Sequence, residues 1–382
     1  MSFGGRQREK VVVGMSGGVD SSVVAAILVG QGYQVMGLTL QTWKETGEVK
    51  RPWLDRSCCK IGLARYVAER LGIPHQVVDT QKVFRDVVIQ NFIGEYASGR
   101  TPNPCVLCNE KIKFGLLLKT AKDLGADYLA TGHYARVVYS QEMGRYLLRK
   151  GMDRAKDQSY FLYRLNQEQL SKVLFPLGNM EKTQVWKMAE DLGLPVQEVA
   201  ESQEICFVTQ GDYRTFLLEE MPNAIREGEI VDEKGRGLGR HQGVAFYTVG
   251  QRRGLGLSAS VRLYVTGLDP EQNRVMVGPD ADLCHRRLTA NHINLIQEAQ
   301  MMEGTPLRVT AKVRYRSPEV GAVVRVLPAH PCLAGRQTAG GGDDRLELVF
   351  DQPQRAVAPG QSVVMYHGED VLGGGIIQNV YS

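Results

Sequence analysis

Lys10-Val11-Val12-Val13-Gly14-Met15-Ser16-Gly17-Gly18-Val19-Asp20-Ser21-Ser22, continued by VVAAILVGQG to Gly32, decides the reading of the first half of the chain. Three consecutive valines between a lysine and a glycine predict a short strand buried on both faces, as in a parallel sheet. The apolar run after Ser22 has helical length and stops at Gly32, where a C-cap glycine belongs. Between strand and helix lies a glycine turn. Glycine lets the backbone fold tightly and brings its N–H groups close to an anion. A helix beginning near Asp20 adds unpaired N–H groups and a positive dipole end. Ser16, Ser21 and Ser22 can donate hydroxyl hydrogen bonds to phosphate oxygens. Asp20 is the odd member, because a carboxylate repels phosphate unless a cation stands between them, and Mg²⁺ is the natural one. A lone glycine pair would be a turn with a capped helix. Here SGGVDS sits at the first strand-to-helix turn of an α/β pattern and predicts a nucleotide phosphate site. The spacing is neither G-x-x-x-x-G-K-[ST] nor that of a dinucleotide fingerprint.

Outward from this turn the alternation continues. QVMGLTL, HQVVD and DYLATG predict strands, and the stretches near Ile61–Leu71, Val83–Tyr96 and Phe114–Leu124 predict helices, with Gly72 and Gly125 closing two of them. Such units make a parallel sheet with right-handed crossovers, a Rossmann-like α/β domain over residues 1–210. ARVVYSQEMGRYLLRK, from residue 135, breaks the rhythm as a hairpin, and KTQVWKMAEDLGLP reads as one more helix ended by Gly193 and Pro195. Past about residue 210 glycine becomes frequent and short alternating runs appear: GVAFYTVGQ, RLYVTGLD, NRVMVGP, LRVTAKVRY, GAVVRVLP, RLELVF and QSVVMYHG. They predict a small central β-rich domain (211–287) and a C-terminal β-barrel (288–382), with 329–344 as a surface loop.

The 382 residues suffice for two or three domains at the usual ~100–200 residues each. With 43% hydrophobic and 23% charged residues, a packed core is expected rather than disorder. No apolar run reaches the roughly 18 residues of a membrane span. The first apolar run begins at Val11, too early for a leader of about 15–30 residues, so the expected place of work is the cytoplasm. A net charge of +4 permits an anionic partner without demanding one. Seven cysteines, an odd number in a leaderless chain, point to chemistry, metal binding or burial rather than a disulfide framework.

GRTPNPCVLCN (99–109) is a rigid loop entering a helix. Pro102 and Pro104 fix φ and push Thr101 and Asn103 toward extended backbone. Asn109 reads as the N-cap of a helix through Lys113–Leu124. That puts Cys108 at a helix N-terminus, where the dipole with Lys111 and Lys113 lowers a thiol pKa. Cys206, in ESQEICF, would by itself be a buried core cysteine.

SGGVDSS, TPNPCVLCN followed by IKF, ATGHYAR, KDQSYFLYRL, SQEICF, YTVGQRRGLG and PGQSVVMYHG stand in the order found in the tRNA 2-thiouridylases, a family that the chain resembles from about residue 10 onward. The first block by itself resembles the PP-loop ATP pyrophosphatases, of adenine nucleotide alpha hydrolase type. The resemblance implies that the 2-oxygen of a wobble uridine in tRNA is adenylated by ATP and then replaced by sulfur. It implies ATP held by Gly14, Met15, Ser16, Gly17, Gly18, Val19, Asp20 and Ser21, with Leu40 and Gly132 lining the adenine side. Asn103, Pro104 and Cys105 would flank a flipped-out base, with His133 nearby. Lys156, Asp157, Gln158, Arg314, Tyr315 and Gln361 match tRNA-contacting positions. Cys206 matches the cysteine that receives a persulfide from a sulfur donor or carrier protein, and Cys108 its thiol partner.

The chemistry is coherent. Uracil's 2-oxygen leaves poorly, and adenylation turns it into AMP, a good leaving group. A persulfide's terminal sulfur can then attack the carbon, and a second thiol can take the remaining S–S bond by exchange. The base must leave its stack to be reached. Arg314-Tyr315-Arg316 offers phosphate contacts and a stacking face, although without the family context it would read as an ordinary solvated strand.

Cys105 departs from the family pattern, in which many members carry an aspartate thought to serve as acid or base. The resulting C-x-x-C plus Cys206 supplies three thiolates, enough for a [4Fe–4S] cluster with one iron open to the transferred sulfur. That count tips the reading toward a cluster over a persulfide alone. A structural Zn²⁺ would want a fourth ligand from Cys58, Cys59 or a histidine. Cys58 and Cys59 open a helix and read as structural; Cys284 and Cys332 read as incidental. Two other classes stay open. Another PP-loop ligase, of amidotransferase-partner or argininosuccinate-synthetase type, has no evident need of paired cysteines or a basic β-rich tail. An RNA-binding or iron-carrying protein without catalysis would not need an intact SGGVDS.

Overall fold

Val11, Val12 and Val13 are fully buried in the computed structural model, which describes residues 9–43, 60–194, 205–208, 212–258, 260–297, 305–327 and 344–381. The burial follows from their place: β1 (Lys10–Gly14) is the middle strand of a five-stranded sheet and pairs parallel on both sides. The other strands are β2 (Gln34–Gln41), β3 (His75–Asp79), β4 (Tyr128–Ala130) and, after the hairpin of β5 (Ala135–Ser140) and β6 (Arg145–Lys150), β7 (Val173–Leu174). All four pairings are parallel, in the order β3-β2-β1-β4-β7. The expected Rossmann-like sheet is present. The two-residue β7, which carries no alternation to read, is an addition to the predicted strands.

Helix α1 (Val19–Gly30) packs its valines against helices Ile61–Leu71 and Lys182–Asp191 through Val23, Leu63, Val67, Val185 and Ala189. Gly32, Gly72, Gly125 and Gly193 follow their helices with φ between +63° and +85°, the left-handed conformation that a helix end favours in glycine. Contacts divide the chain into two units, residues 1–88 with 105–209, and residues 89–104 with 210–382.

The second unit holds a four-stranded sheet of β8 (Gly228–Val231), β9 (Gly237–His241), β10 (Tyr264–Asp269) and β11 (Arg274–Gly278), in the order β10-β11-β8-β9. It also holds a closed barrel of β12 (Cys284–Leu295), β13 (Leu307–Lys312), β14 (Val320–Leu327), β15 (Arg345–Arg355), β16 (Ser362–His367) and β17 (Asp370–Tyr381). The barrel runs β12-β15-β14-β13-β16-β17 and closes by pairing β17 with β12. Alternate side chains such as Val309, Val324, Leu348 and Val363 fill it.

Three readings need correction. GVAFYTVGQ is no strand; Val244–Phe246 forms a 3₁₀ turn between Gly243 and an extended Tyr247. Arg314-Tyr315-Arg316 lies past the end of β13 in a turn closed by Ser317, whose hydroxyl donates to the Arg314 carbonyl at 2.8 Å. The cysteine-loop helix begins at Pro104, well before Asn109. Proline at the first helical position has no N–H to leave unpaired. Cys58, Cys59, Cys332, residues 201–204 of ESQEICF and the loop from 329 to 343 lie outside the described residues.

Candidate active site

The chain leaves β1 toward β2 on one side and reaches β4 on the other, so the crevice beyond the carboxyl ends of β1 and β4 is the topological switch point of the sheet. The glycine turn sits there. Gly17 has φ +72°, and a side chain on it would overlap the Lys60 carbonyl, whose N–H in turn donates to the Ser16 carbonyl at 2.9 Å. The loop also braces itself. Gly18 N–H donates to Ser16 Oγ at 3.3 Å, and the Ser21 and Ser22 hydroxyls donate to the Gly18 carbonyl at 3.1 and 2.9 Å. From the β4 side Gly132 closes against the start of α1. A Cβ there would stand 2.9 Å from Asp20 Cβ and 3.1 Å from Ser21 N, so a larger residue would push the two loops apart. Leu40, at the end of β2, is buried.

Asp20 already has a cation. Its Oδ1 accepts from Lys182 Nζ at 2.8 Å and from the Tyr134 hydroxyl at 2.8 Å. Lys182 is 8% exposed, with its ammonium 5.7 Å from the Tyr134 and Trp186 ring centres. Burying an ammonium costs on the order of several kcal/mol, so this position holds only with the carboxylate and two aromatic faces compensating. Neither Lys182 nor Tyr134 was singled out from the sequence. The signal available was a lysine opening a helix and a tyrosine in ATGHYAR, both ordinary features.

The KDQ segment is tied to the same network. Asp157, buried, accepts from the Gly151 and Ser159 N–H groups at 2.9 and 3.1 Å and from the Ser159 hydroxyl at 2.9 Å. Gln158 Oε1 accepts from Tyr134 N–H at 3.1 Å. Asp157 and Gln158 thus organise their own loop, and Lys156, like Gln158, is half-exposed. His133 is buried between Phe114 and Phe175, with Nδ1 2.8 Å from the Thr131 hydroxyl. Burial first, and the Lys113 charge second, press its pKa well below the usual histidine range, so the ring is neutral at working pH.

Cys105 is exposed in the first turn of the helix from Pro104, and Cys108 is half-buried one turn on, opening a π-helical stretch (Cys108–Leu117). Asn109 does not cap. It is buried, and its amide donates to the Phe161 carbonyl at 3.3 Å. Cys206 is half-buried on a turn anchored by Phe207, which packs edge-on against Phe84 at 5.8 Å. The three thiols belong to one unit. Among the described residues no three His, Cys, Asp or Glu side chains are placed as a metal ligand set, so the cysteines as they stand do not fit a cluster.

In the second unit, Arg314 and Arg316 are exposed and Tyr315 is half-exposed. Gln361 is turned inward, with Nε2 donating to the Thr101 and Pro102 carbonyls at 3.1 and 3.0 Å. No helix among the described residues is long and apolar enough to cross a membrane.

Comparison with known proteins bears on this arrangement. Residues 9–210 match the family model described as tRNA methyl transferase HUP domain, residues 214–279 the tRNA methyl transferase PRC-barrel domain, and residues 337–377 the aminomethyltransferase beta-barrel domain. The tRNA-specific 2-thiouridylase MnmA 1 of Caldanaerobacter subterraneus subsp. tengcongensis is 48% identical over 97% of this chain and 98% of its own length. The tRNA-specific 2-thiouridylase MnmA of Pelotomaculum thermopropionicum is 47% identical over 98% of each chain. That of Moorella thermoacetica is 48% identical over 97% of this chain and 99% of its own.

Proposed function

The chain belongs to the tRNA-specific 2-thiouridylase family, and on that premise we propose that it exchanges the 2-oxygen of the wobble uridine of tRNA for sulfur, at the expense of ATP. The observation that carries the reading is a braced phosphate loop at the switch point of the sheet, in one unit with Cys105, Cys108 and Cys206. Methyl transfer, which the family-model descriptions mention, has no use for such a loop in one unit with paired thiols.

In this reading Gly14, Met15, Ser16, Gly17, Gly18, Val19, Asp20 and Ser21 hold the ATP phosphates, with Leu40 and Gly132 bounding the adenine side. Lys182 and Tyr134 fix Asp20 in the loop. Mg²⁺ with the nucleotide would neutralise phosphate charge, and Asp20 is the carboxylate placed to help hold it. Asn103, Pro104 and Cys105 flank the extruded base. Buried His133 supports the loop around it rather than touching the base. Lys156, Arg314 and Tyr315 take the tRNA. Sulfur delivered by a donor protein resides on Cys206 as a persulfide. Its terminal sulfur attacks C2, AMP leaves with the oxygen, and Cys108 then attacks Cys206 Sγ to release 2-thiouridine and leave a Cys108–Cys206 disulfide for reduction by cellular thiols.

The test is direct. With ATP, an unmodified tRNA and a small-molecule persulfide as donor, the protein is expected to release pyrophosphate and AMP and to form 2-thiouridine at the wobble position, read by nucleoside mass spectrometry. ATP cleavage without thionucleoside on any uridine would place the chain with another PP-loop chemistry. For the tRNA surface, Arg314→Ala and Arg316→Ala should each weaken binding and lower the slope of log K against log salt by about one, the mark of a lost phosphate contact. Binding curves unchanged at every salt concentration would remove that turn from the interface.

A further inference from the structure

The YTVGQRRGLG block has no part in the chemistry above, and its loop sets arginines on the surface of the second unit. Gly250 N–H donates to the Val265 carbonyl at 2.8 Å and Val265 N–H to the Gln251 carbonyl at 2.9 Å, which pins the start of the loop to β10. The Gln251 side chain accepts from Thr248 N–H at 3.2 Å and donates to the Arg253 carbonyl at 3.0 Å. Leu255 is buried, and Leu257 lies over Gly239 of β9, where a Cβ would stand 2.6 Å from its Cδ2. Held at these points, the loop turns through Gly254 and Gly256 at φ +76° and +67°, backbone that glycine adopts without strain. Arg252, Arg253 and Arg262 are exposed, and Arg252 and Arg262 line one hollow with Gly254, Gly256 and Val261. A fourth guanidinium stands beside Gly254. It is that of Arg214, which donates to the Phe246 carbonyl at 3.2 Å and lies 5.9 Å from the Phe246 and Tyr247 ring centres.

Elsewhere in the same small domain, Arg236, Arg240 and Arg274 each face a carboxylate, that of Asp232, Glu227 and Glu229 respectively. Arg252, Arg253 and Arg262 have no ion pair among the described residues, and the backbone N–H groups from Arg252 to Leu257 donate to no group there. Such a set of guanidinium groups and glycine-exposed N–H donors matches the acceptor oxygens of a phosphodiester chain. No aromatic ring lines the hollow, whose apolar part is leucine and valine, so bases find nothing there to stack on. We propose that the loop from Arg252 to Gly256, with Arg262, is a phosphate-backbone docking site for the tRNA, adding affinity and fixing register without reading sequence. An acidic protein surface would also match the charge. Protein interfaces, however, centre on aromatic and methionine anchors, and here only Val261 projects, at 61% exposure. The inference rests on the reading that tRNA is the substrate.

Arg252→Ala, Arg253→Ala and Arg262→Ala should each lower the slope of log K for an unmodified tRNA against log salt by about 0.7–0.9. The triple variant should lose about two in slope and bind at least about tenfold more weakly at low salt. The loss should fall on Kd and on KM for tRNA rather than on kcat, and the same uridine should be thiolated. Lysine at all three positions keeps the charge and should restore most of the slope, which a folding defect in the alanine variant would not mimic. Affinity and slope unchanged in the triple alanine variant would overturn the proposal. So would weaker binding at an unchanged slope, which is not the loss of phosphate contacts. A triple variant that binds tRNA normally but no longer takes sulfur from a protein donor would make the loop a protein interface and overturn it as well. The two levels fail apart: a wild-type protein that thiolates tRNA whatever stands at the three positions loses only the docking site, whereas one that binds no tRNA loses the proposed function with it.

Discussion

Asp20→Ala is expected to stop activation of the tRNA: pyrophosphate release falls by about 100-fold or more, the scale on which loss of one preorganised electrostatic partner acts. Asp20 stands at the second residue of α1, beside the phosphate loop, and in the absence of nucleotide its charge is balanced by Lys182 and steadied by Tyr134. Removing the carboxylate takes away the group best placed to hold a divalent cation and leaves a buried ammonium without its counter-ion. Asp20→Asn separates these effects, because it keeps the shape and a hydrogen-bond acceptor for Tyr134 and Lys182 but not the charge. Both variants should keep tRNA affinity. Lys182→Met, in contrast, leaves an uncompensated carboxylate facing phosphates, and its main effect should be a raised KM for ATP. Pyrophosphate release at the normal rate in Asp20→Asn would take the carboxylate out of the reaction.

Cys206→Ser and Cys108→Ser should each lower thiolation by about 1000-fold or more, as loss of a nucleophile does, while pyrophosphate release persists. Cys206 loses the atom that carries sulfur, and Cys108 the thiol that frees the product. Cys105 divides the delivery schemes. It is exposed in the first turn of its helix, so Cys105→Asp costs no packing. Under persulfide transfer that variant only exchanges a thiol for a carboxylate one turn from Cys108 and should keep activity. Anaerobically purified protein that carries iron and sulfide, and loses both iron and thiolation on Cys105→Asp, would instead assign the sulfur to a cluster, because carboxylate is a harder and weaker iron ligand than thiolate.

The sheet and its phosphate turn were legible because their signals are local. Three valines in a row, a glycine pair and an apolar run ending in glycine are each read within one element. The barrel was legible from alternation in GAVVRVLP and RLELVF. An Asn109 cap would start the cysteine helix at Glu110, six residues after its actual start at Pro104, where proline at the first helical position is the stronger signal. Lys182 and Tyr134 escaped because their role lies in a pairing across 162 and 114 residues. Gln361 was noticed only through family likeness. Its orientation toward residues 101–102 depends on folding that no window of sequence contains.

Arg100 and Gln378, which bond at the foot of the loop of residues 99–104, are 278 residues apart in sequence. On a ribosome making about 5–20 residues per second, the loop would therefore wait tens of seconds for its partner after it is made. During that interval Arg100 has its bonds to Glu95 but not those to Gln378 and Ile377. An unfinished or prematurely released chain would carry residues 99–104 without the barrel strand that fixes Arg100. The long separation thus makes the fixed form of this loop a property of the completed chain.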